Sequence, residues 1–156
     1  MIKINRQLLD EVSQKAQDRD RKRQNFNFHP ELSDPLQRML NAIEPGTYVQ
    51  PHKHANPDKV EAFVVLRGKL AVIEFNDAGT ITDYCTLTAE EGNYGVEIPA
   101  RKYHSLIALE EGTVVYEVKN GPYAALDDKN FAPWAPAEGA PECEGYLAEL
   151  SAKIVK

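Results

Sequence analysis

Three of the four histidines in this sequence fall, with one glutamate, in a single spaced pattern. The pattern is Gly46-x5-His52-x-His54-x6-Glu61-x6-Gly68, followed further along the chain by Pro99-x4-His104. Imidazole nitrogen and carboxylate oxygen are the ligands that divalent transition metals take in proteins. The spacing therefore predicts a metal site formed by His52, His54, Glu61 and His104.

These ligand types narrow the identity of the metal. Neutral imidazole with carboxylate suits Zn, Fe, Mn, Ni, Co or Cu, whereas calcium sites are built from oxygen alone. Four protein ligands complete a tetrahedral zinc, but they leave positions for water or substrate on an octahedral ion. We therefore expect one divalent ion, of unspecified identity. The fourth histidine, His29, has no such neighbours and is not expected to bind it.

The strand that carries the two close histidines predicts further site residues. Alternate residues of a strand face the same side, so His52 and His54 share one face of a strand predicted over 47–54. Tyr48 and Gln50 have the same parity, and we expect them to line the same cavity and bind substrate. Tyr48 is also a candidate catalytic acid. The alternative is that Tyr48 is a core residue whose hydroxyl is hydrogen-bonded within the protein.

Arg38, on the preceding predicted strand, is a further candidate for substrate binding or catalysis. A guanidinium there can hold a carboxylate or phosphate through two parallel hydrogen bonds. The alternative for Arg38 is a salt bridge to a neighbouring acid.

The elements around these residues are short and rich in β-branched and aromatic side chains. Turn signals such as Glu44-Pro45-Gly46 and Arg67-Gly68 separate them. The predicted strands are 38–43, 47–54, 61–66, 69–75, 94–98, 105–109 and 113–119. Many short strands at such spacing predict an all-β fold, an antiparallel sandwich or closed barrel.

Helical periodicity is confined to the two ends. It predicts a helix over 5–17 with Asn5 as its N-cap, ended by the polar stretch 18–27, and a second helix from Glu144 onward. The proline-rich segment 121–141 is predicted to be an irregular arm whose Phe131 and Trp134 pack on the body or on a second subunit. We expect a single domain over 1–156, with an N-terminal helix and arm (1–30), a β-barrel (31–120), and the arm with the C-terminal helix (121–156).

Composition excludes some functions. The chain is 42% hydrophobic and 27% charged, as in folded proteins, and its net charge of -6 argues against a nucleic-acid partner. We interpret the basic cluster at 19–23 as a solvated helix end, the alternative being a phosphate-binding patch. No apolar run approaches the ~20 residues that span a bilayer. With no export signal and two unpaired cysteines, Cys85 and Cys143, we expect a cytoplasmic protein without membrane partners.

The metal-ligand pattern resembles the two motifs of the cupin superfamily. Gly46, His52, His54, Glu61 and Gly68 match the first motif, and Pro99 and His104 match the second. Six residues, rather than three or four, separate His54 from Glu61. In the second motif Arg101 and Ala108 replace a glycine and an asparagine.

Residues 1 to 138 most resemble the WbuC-type cupin fold metalloproteins. The similar stretches are 38–48, 117–123 and 128–136, together with the longer gap between His54 and Glu61. The resemblance implies a double-stranded β-helix, or jelly-roll barrel, with a metal at His52, His54, Glu61 and His104. Members occur beside surface-polysaccharide (O-antigen) genes, which suggests sugar chemistry. Barrels of this class often pair through their outer strands, and we expect this chain to form a homodimer.

Three functions fit this site. The first is a small-molecule metalloenzyme, an isomerase or epimerase or an iron-dependent dioxygenase, linked to sugar or surface-polysaccharide metabolism. The second is a non-catalytic, metal-dependent module that binds a sugar or sugar nucleotide. The third is a purely structural ion.

Overall fold

Two five-stranded antiparallel sheets pack face to face and enclose the main core. The computed structural model describes residues 1–124 and 129–154. Within these ranges the elements, in chain order, are α1 (Arg6–Gln17), β1 (Arg23–Asn27), β2 (Leu36–Ile43), β3 (His52–Lys53), β4 (Glu61–Arg67), β5 (Leu70–Phe75), β6 (Ile81–Leu87), β7 (Gly95–Ile98), β8 (Tyr103–Ala108), β9 (Thr113–Asn120), β10 (Asn130–Phe131) and α2 (Cys143–Ile154).

The first sheet has the strand order β1-β2-β9-β4-β7, and the second has the order β10-β3-β8-β5-β6. Strands that are distant in sequence are therefore neighbours, as β2 and β9 are. Apolar side chains from both sheets meet between them, among them Phe63 of β4, Val115 of β9 and Leu106 of β8. This arrangement, with a helix at each end of the chain, confirms the predicted all-β jelly-roll barrel.

Each helix covers the outer face of one sheet. Asn5 caps α1, since its side-chain oxygen accepts a hydrogen bond from the Leu8 amide at 3.0 Å. One stripe of α1, including Leu9 and Val12, packs on Leu40 of β2. At the other end, α2 packs on the second sheet. No helix in the described ranges is long and apolar enough to cross a membrane.

The proline-rich arm packs on the barrel of its own chain. The Trp134 ring lies 5.1 Å from the Phe75 ring and 5.8 Å from the Tyr103 ring, measured between centroids. Within the arm, β10 adds a short strand to the edge of β3. The described residues of the arm therefore contain regular structure, a short strand, that the proline content does not predict. The homodimer remains a prediction.

Three strands, β1, β6 and β10, were absent from the sequence-based prediction. β1 lies within the stretch assigned to the N-terminal arm, and β6 follows β5 at the other edge of the barrel. All three are edge strands with mostly polar or exposed side chains. Pairing of backbone groups, such as Asn25 opposite Asn41, holds β1 in place, and backbone pairing leaves no hydrophobic pattern to detect.

Two valines on neighbouring strands test where the core lies. Val115 is fully buried between the sheets, whereas Val64 is 43% exposed on the outer face of β4. Val115→Ala removes buried methyl groups and leaves a cavity, so it should lower the free energy of unfolding by about 2 kcal/mol. Val64→Ala should change it by less than about 0.5 kcal/mol. Urea unfolding measures both, and equal losses would contradict this account of the core.

Candidate metal centre

The two sheets together bring the four predicted ligands to one point. His52 of β3 lies directly opposite His104 of β8, with ring centroids 4.5 Å apart. His54 follows β3, and Glu61 is the first residue of β4 in the other sheet. All four side chains are buried, and one ligand atom from each lies within 4.8 Å of all the others. The cluster therefore spans the space between the sheets.

Backbone carbonyls orient two of the imidazole rings. Nδ1 of His52 lies 2.9 Å from the Gln50 carbonyl, and Nδ1 of His104 lies 3.0 Å from the Lys102 carbonyl. A carbonyl only accepts, so each Nδ1 must carry the proton and donate. In the neutral ring, Nε2 then presents a lone pair, the arrangement that metal-binding histidines use.

The distances around Glu61 fit a bound cation. Its Oε2 lies 3.0 Å from Nε2 of His104 and 3.3 Å from Nε2 of His54. A carboxylate oxygen and a ring nitrogen with a lone pair repel at this separation unless a proton or a metal ion lies between them. The donor set suits a divalent transition metal, so the residues present fit the predicted ion.

Electrostatics keep two of the ligands, His52 and Glu61, in their metal-binding forms. Burial, followed by the neighbouring Lys129 and His104, places the pKa of His52 well below its usual value, so the ring is neutral. Burial alone would raise the pKa of Glu61. The close contacts of its carboxylate with the rings of His104 and His54 outweigh burial and place that pKa well below its usual value, so Glu61 is ionised.

Turns of the two motifs have the positive φ angles that glycine adopts readily. One of these turns keeps a positive φ although another residue replaces its glycine. Gly68 has a φ of +77°, and a Cβ there would lie 2.5 Å from Oγ1 of Thr113. Arg101, which replaces the glycine of the second motif, also has a positive φ of 66°. Its amide donates to the His54 carbonyl at 3.0 Å. The turn conformation is thus kept without glycine.

Contacts with the end of the barrel and the arm hold the lengthened loop between His54 and Glu61. The Ala55 amide donates to Oδ1 of Asn130 at 3.0 Å, and the Val60 amide donates to Oδ1 of Asn120 at 2.8 Å. The extra loop residues are therefore tied down immediately before Glu61.

A cavity of about 450 Å³ opens onto His52, Glu61 and His104. Amide side chains line much of its wall, and they come from β1 and β2. They are Gln24, Asn25, Asn27, Gln37 and Asn41. Apolar side chains, among them Phe63 and Leu106, complete the wall. The candidate ligands therefore meet a space of ligand size with many hydrogen-bonding groups.

Tyr48 and Gln50 do not line this cavity, which corrects the sequence-based prediction. The Tyr48 hydroxyl donates to the Pro136 carbonyl at 2.8 Å, and Oε1 of Gln50 accepts from the Glu138 amide at 3.2 Å. The strand begins only at His52, so strand alternation does not extend back to these residues. Val49 lines the cavity in their place.

Arg38 also lies outside the cavity. On β2 the side chains of Gln37, Met39 and Asn41 face the cavity, so Arg38 is on the opposite side of the sheet. Its guanidinium lies 3.6 Å from the Asp34 carboxylate. The structure therefore agrees with the salt-bridge alternative for Arg38.

The sequence-based prediction missed Glu117 of β9, which is buried in the cavity wall. Its Oε2 accepts from Nδ2 of Asn41 at 3.0 Å. Burial, followed by the charge of Glu61 and a hydrogen bond with it, raises the pKa of Glu117 to about 8. Glu117 and Lys119 alternate along an otherwise apolar strand. That alternation was the available signal for an inward-facing polar pair.

The basic cluster after α1 also belongs to this cavity. Arg19, Arg21 and Arg23 line it, and Arg19 and Arg21 are also exposed to solvent, as the interpretation of a solvated helix end predicts. His29 lines it as well, with Nδ1 3.0 Å from the Arg38 carbonyl. His29 is not among the four clustered ligands, as expected.

The jelly-roll barrel and the buried cluster of three histidines and one glutamate define a cupin-fold protein with a candidate divalent-metal site. The profile of a family described as a domain of unknown function (DUF6016) matches residues 4–87. The chain belongs to this family. No curated protein matches the sequence.

Several solved structures share the fold. L-ribose isomerase from Cellulomonas parahominis, solved with L-ribose, is 18% identical with a TM-score of 0.56, over 75% of this chain and 72% of that one. The capsular polysaccharide assembling protein CapF from Staphylococcus aureus is 20% identical with a TM-score of 0.52, over 70% and 28%. An oxalate decarboxylase from B. subtilis is 17% identical with a TM-score of 0.51, over 69% and 30%. At these identities the similarity shows the fold.

Loss of a single ligand should remove the ion. His52→Ala or His104→Ala should lower the metal content of the purified protein from about one ion per chain to near zero, because each takes one donor from a four-residue set. His29→Ala is the matched control and should keep its metal. Elemental analysis of the three proteins measures this. Equal metal content in all three would contradict the site.

The raised pKa of Glu117 predicts how the stability of the metal-free protein depends on pH. Between its usual pKa of 4.5 and the folded value of about 8, the folded state holds a proton that the unfolded state has lost. This proton stabilises the folded state at low pH, and that stabilisation is lost as the pH rises through this range. Glu117→Gln, which stays neutral, should therefore gain stability relative to wild type as the pH rises.

Urea unfolding with a chelator, at pH values of about 5 and about 8, measures this difference. Glu97→Gln, which alters an exposed glutamate on β7, is the matched control and should follow wild type at both pH values. A constant difference between Glu117→Gln and wild type would contradict the prediction.

Proposed function

We propose that this protein is a metal-dependent isomerase of a small sugar-type substrate, one that carries a carbonyl and several hydroxyls. The observation that carries the proposal is the cavity of about 450 Å³ that opens onto His52, Glu61 and His104 and is lined by many amide and charged side chains. A ligand in this cavity meets the candidate metal and a hydrogen-bonding wall together.

The cavity wall supports a polyhydroxylated ligand. Side-chain amides offer donors and acceptors at once, as hydroxyl groups require, and Asn25, Asn27 and Gln37 provide them here. Apolar side chains such as Phe63 offer a surface for the C–H groups of a sugar. The L-ribose isomerase solved with L-ribose shares the fold, which supports the same class of ligand.

A divalent ion held by His52, His54, Glu61 and His104 would supply Lewis-acid polarisation of a substrate oxygen. Proton transfer is assigned to Glu117, because its carboxyl lines the cavity and is not one of the four ligands. In an isomerisation the ionised Glu117 carboxylate accepts the proton that leaves the carbon beside the carbonyl and returns it to the carbonyl carbon, while the proton of the hydroxyl on the first carbon passes to the carbonyl oxygen. The hydrogen bond from Asn41 holds the carboxyl in place. The product is an isomer of the substrate, so the reaction needs no oxidant or reductant.

Two comparisons support a place in surface-polysaccharide metabolism. The chain resembles the WbuC-type proteins that occur beside O-antigen genes. It also shares its fold with CapF, a capsular polysaccharide assembling protein. The polar wall favours isomerisation over oxygen chemistry, which calls for a drier pocket.

The test is turnover in D₂O. Protein loaded separately with each candidate metal is incubated with a panel of aldoses and ketoses, and NMR follows isomer formation and deuterium incorporation. We expect conversion with at least one sugar and no conversion by His52→Ala. Glu117→Gln should keep its metal while kcat falls about a hundredfold or more, the usual contribution of a general acid–base group. Glu97→Gln is the matched control.

Three results would contradict the proposal in different ways. Sugar binding without turnover by any metal form would favour the non-catalytic module. A large fall in melting temperature on chelation, with no sugar bound, would favour a structural ion. Oxygen uptake with iron(II), measured against the same panel, would favour a dioxygenase.

A further inference from the structure

The wall of the cavity is cationic although the chain as a whole is acidic. The formal net charge is -6. Yet five cationic side chains line the cavity against two carboxylates, Glu61 and Glu117. The five are Arg19, Arg21, Arg23, Lys119 and Lys129. A divalent ion at the candidate site would add further positive charge. Clefts of one charge sign concentrate ligands of the opposite sign.

Three of these five cations already have protein partners. Arg21 and Arg23 share the Glu138 carboxylate, with nitrogen–oxygen distances of 2.6 and 2.7 Å. Arg23 also donates to the Tyr48 carbonyl at 2.7 Å. Nζ of Lys119 lies 4.0 Å from Oε1 of Glu61. These contacts support the arm and the ligand set.

The side chains of the other two cations, Arg19 and Lys129, do not have such partners in the described ranges. Arg19 is exposed, and it forms no ion pair with any residue of the described ranges. Lys129 is half-buried and close enough to Glu61 and Glu117 for their charges to act on it. No residue in the described part of the chain accepts a hydrogen bond from the Lys129 ammonium. One cation is thus set in the wall beside the candidate metal site, and a second is solvent-exposed.

We infer that the substrate carries an anionic group, a carboxylate or a phosphate, which pairs with Lys129 after Arg19 has attracted it to the cavity. The inference rests on the proposed function, since it names the class of that substrate as a sugar acid or a sugar phosphate. A charge-assisted bond inside the cavity lengthens the residence of the ligand, whereas an exposed charge mainly raises the rate of association.

Matched pairs of sugars test the inference by direct binding to the zinc-loaded protein. The affinities for D-glucuronate and D-glucose are compared to test recognition of a carboxylate. Those for D-ribose 5-phosphate and D-ribose are compared to test recognition of a phosphate. Calorimetry at low salt should show at least one charged sugar binding about tenfold more tightly than its neutral partner. Which pair shows the difference identifies the anionic group.

Two variants separate the assigned roles. Lys129→Gln should abolish the preference for the charged sugar while retaining zinc and the affinity for the neutral one. Arg19→Gln, a change at an exposed residue, should slow association of the charged sugar and weaken its salt dependence. Lys153→Gln is the charge-matched control, since Lys153 lies on α2 outside the barrel, and it should behave as wild type.

The outcomes distinguish this inference from the proposed function. Equal affinity for both members of each pair would overturn the inference and leave a neutral sugar as the substrate class. Binding of no sugar at all would overturn the proposed function, and the inference with it. If Lys129→Gln failed to fold, an unchanged association rate in Arg19→Gln would still count against the inference.

Discussion

Burial of the Glu61 carboxylate between two sheets is the constraint on which the rest of the structure depends. Glu61 is only 4% exposed. An ionised carboxylate in a protein interior costs several kcal/mol unless opposite charges and hydrogen bonds compensate. Here His54 and His104 face one oxygen and Lys119 faces the other. The compensating groups come from both sheets, so the site forms only when the barrel is closed.

The surrounding elements hold these groups in place. The cross-strand pairing of His52 with His104 places two rings side by side, and carbonyls behind them set their orientation. The arm completes this support, since β10 pairs with β3 and Glu138 binds two arginines at the cavity. A segment that reads as irregular in sequence is therefore part of the site's framework. Its Lys129 also contributes to the cationic wall.

The features that were predicted correctly from pattern alone are those that depend on residues close together in the sequence. The pair His52 and His54 shares a face because alternation is a local property of extended chain. The N-terminal helix follows from its 3.6-residue periodicity and the Asn5 cap. Tyr48 and Gln50 were misplaced because the same alternation was extended beyond the true start of the strand. β1, β6 and β10 were missed because edge strands depend on backbone pairing, which side-chain patterns do not record.

The sequence by itself determined the all-β barrel and the four candidate ligands, because short alternating strands and ligand residue types at fixed spacings can be read along the chain. Only the tertiary structure decided which other groups share their cavity. Glu117 and the arginines after α1 reach it through the pairing of β1, β2 and β9, and Lys129 reaches it from the arm. Contacts between such residues depend on the register between strands that are far apart in the chain, and no local pattern specifies that register.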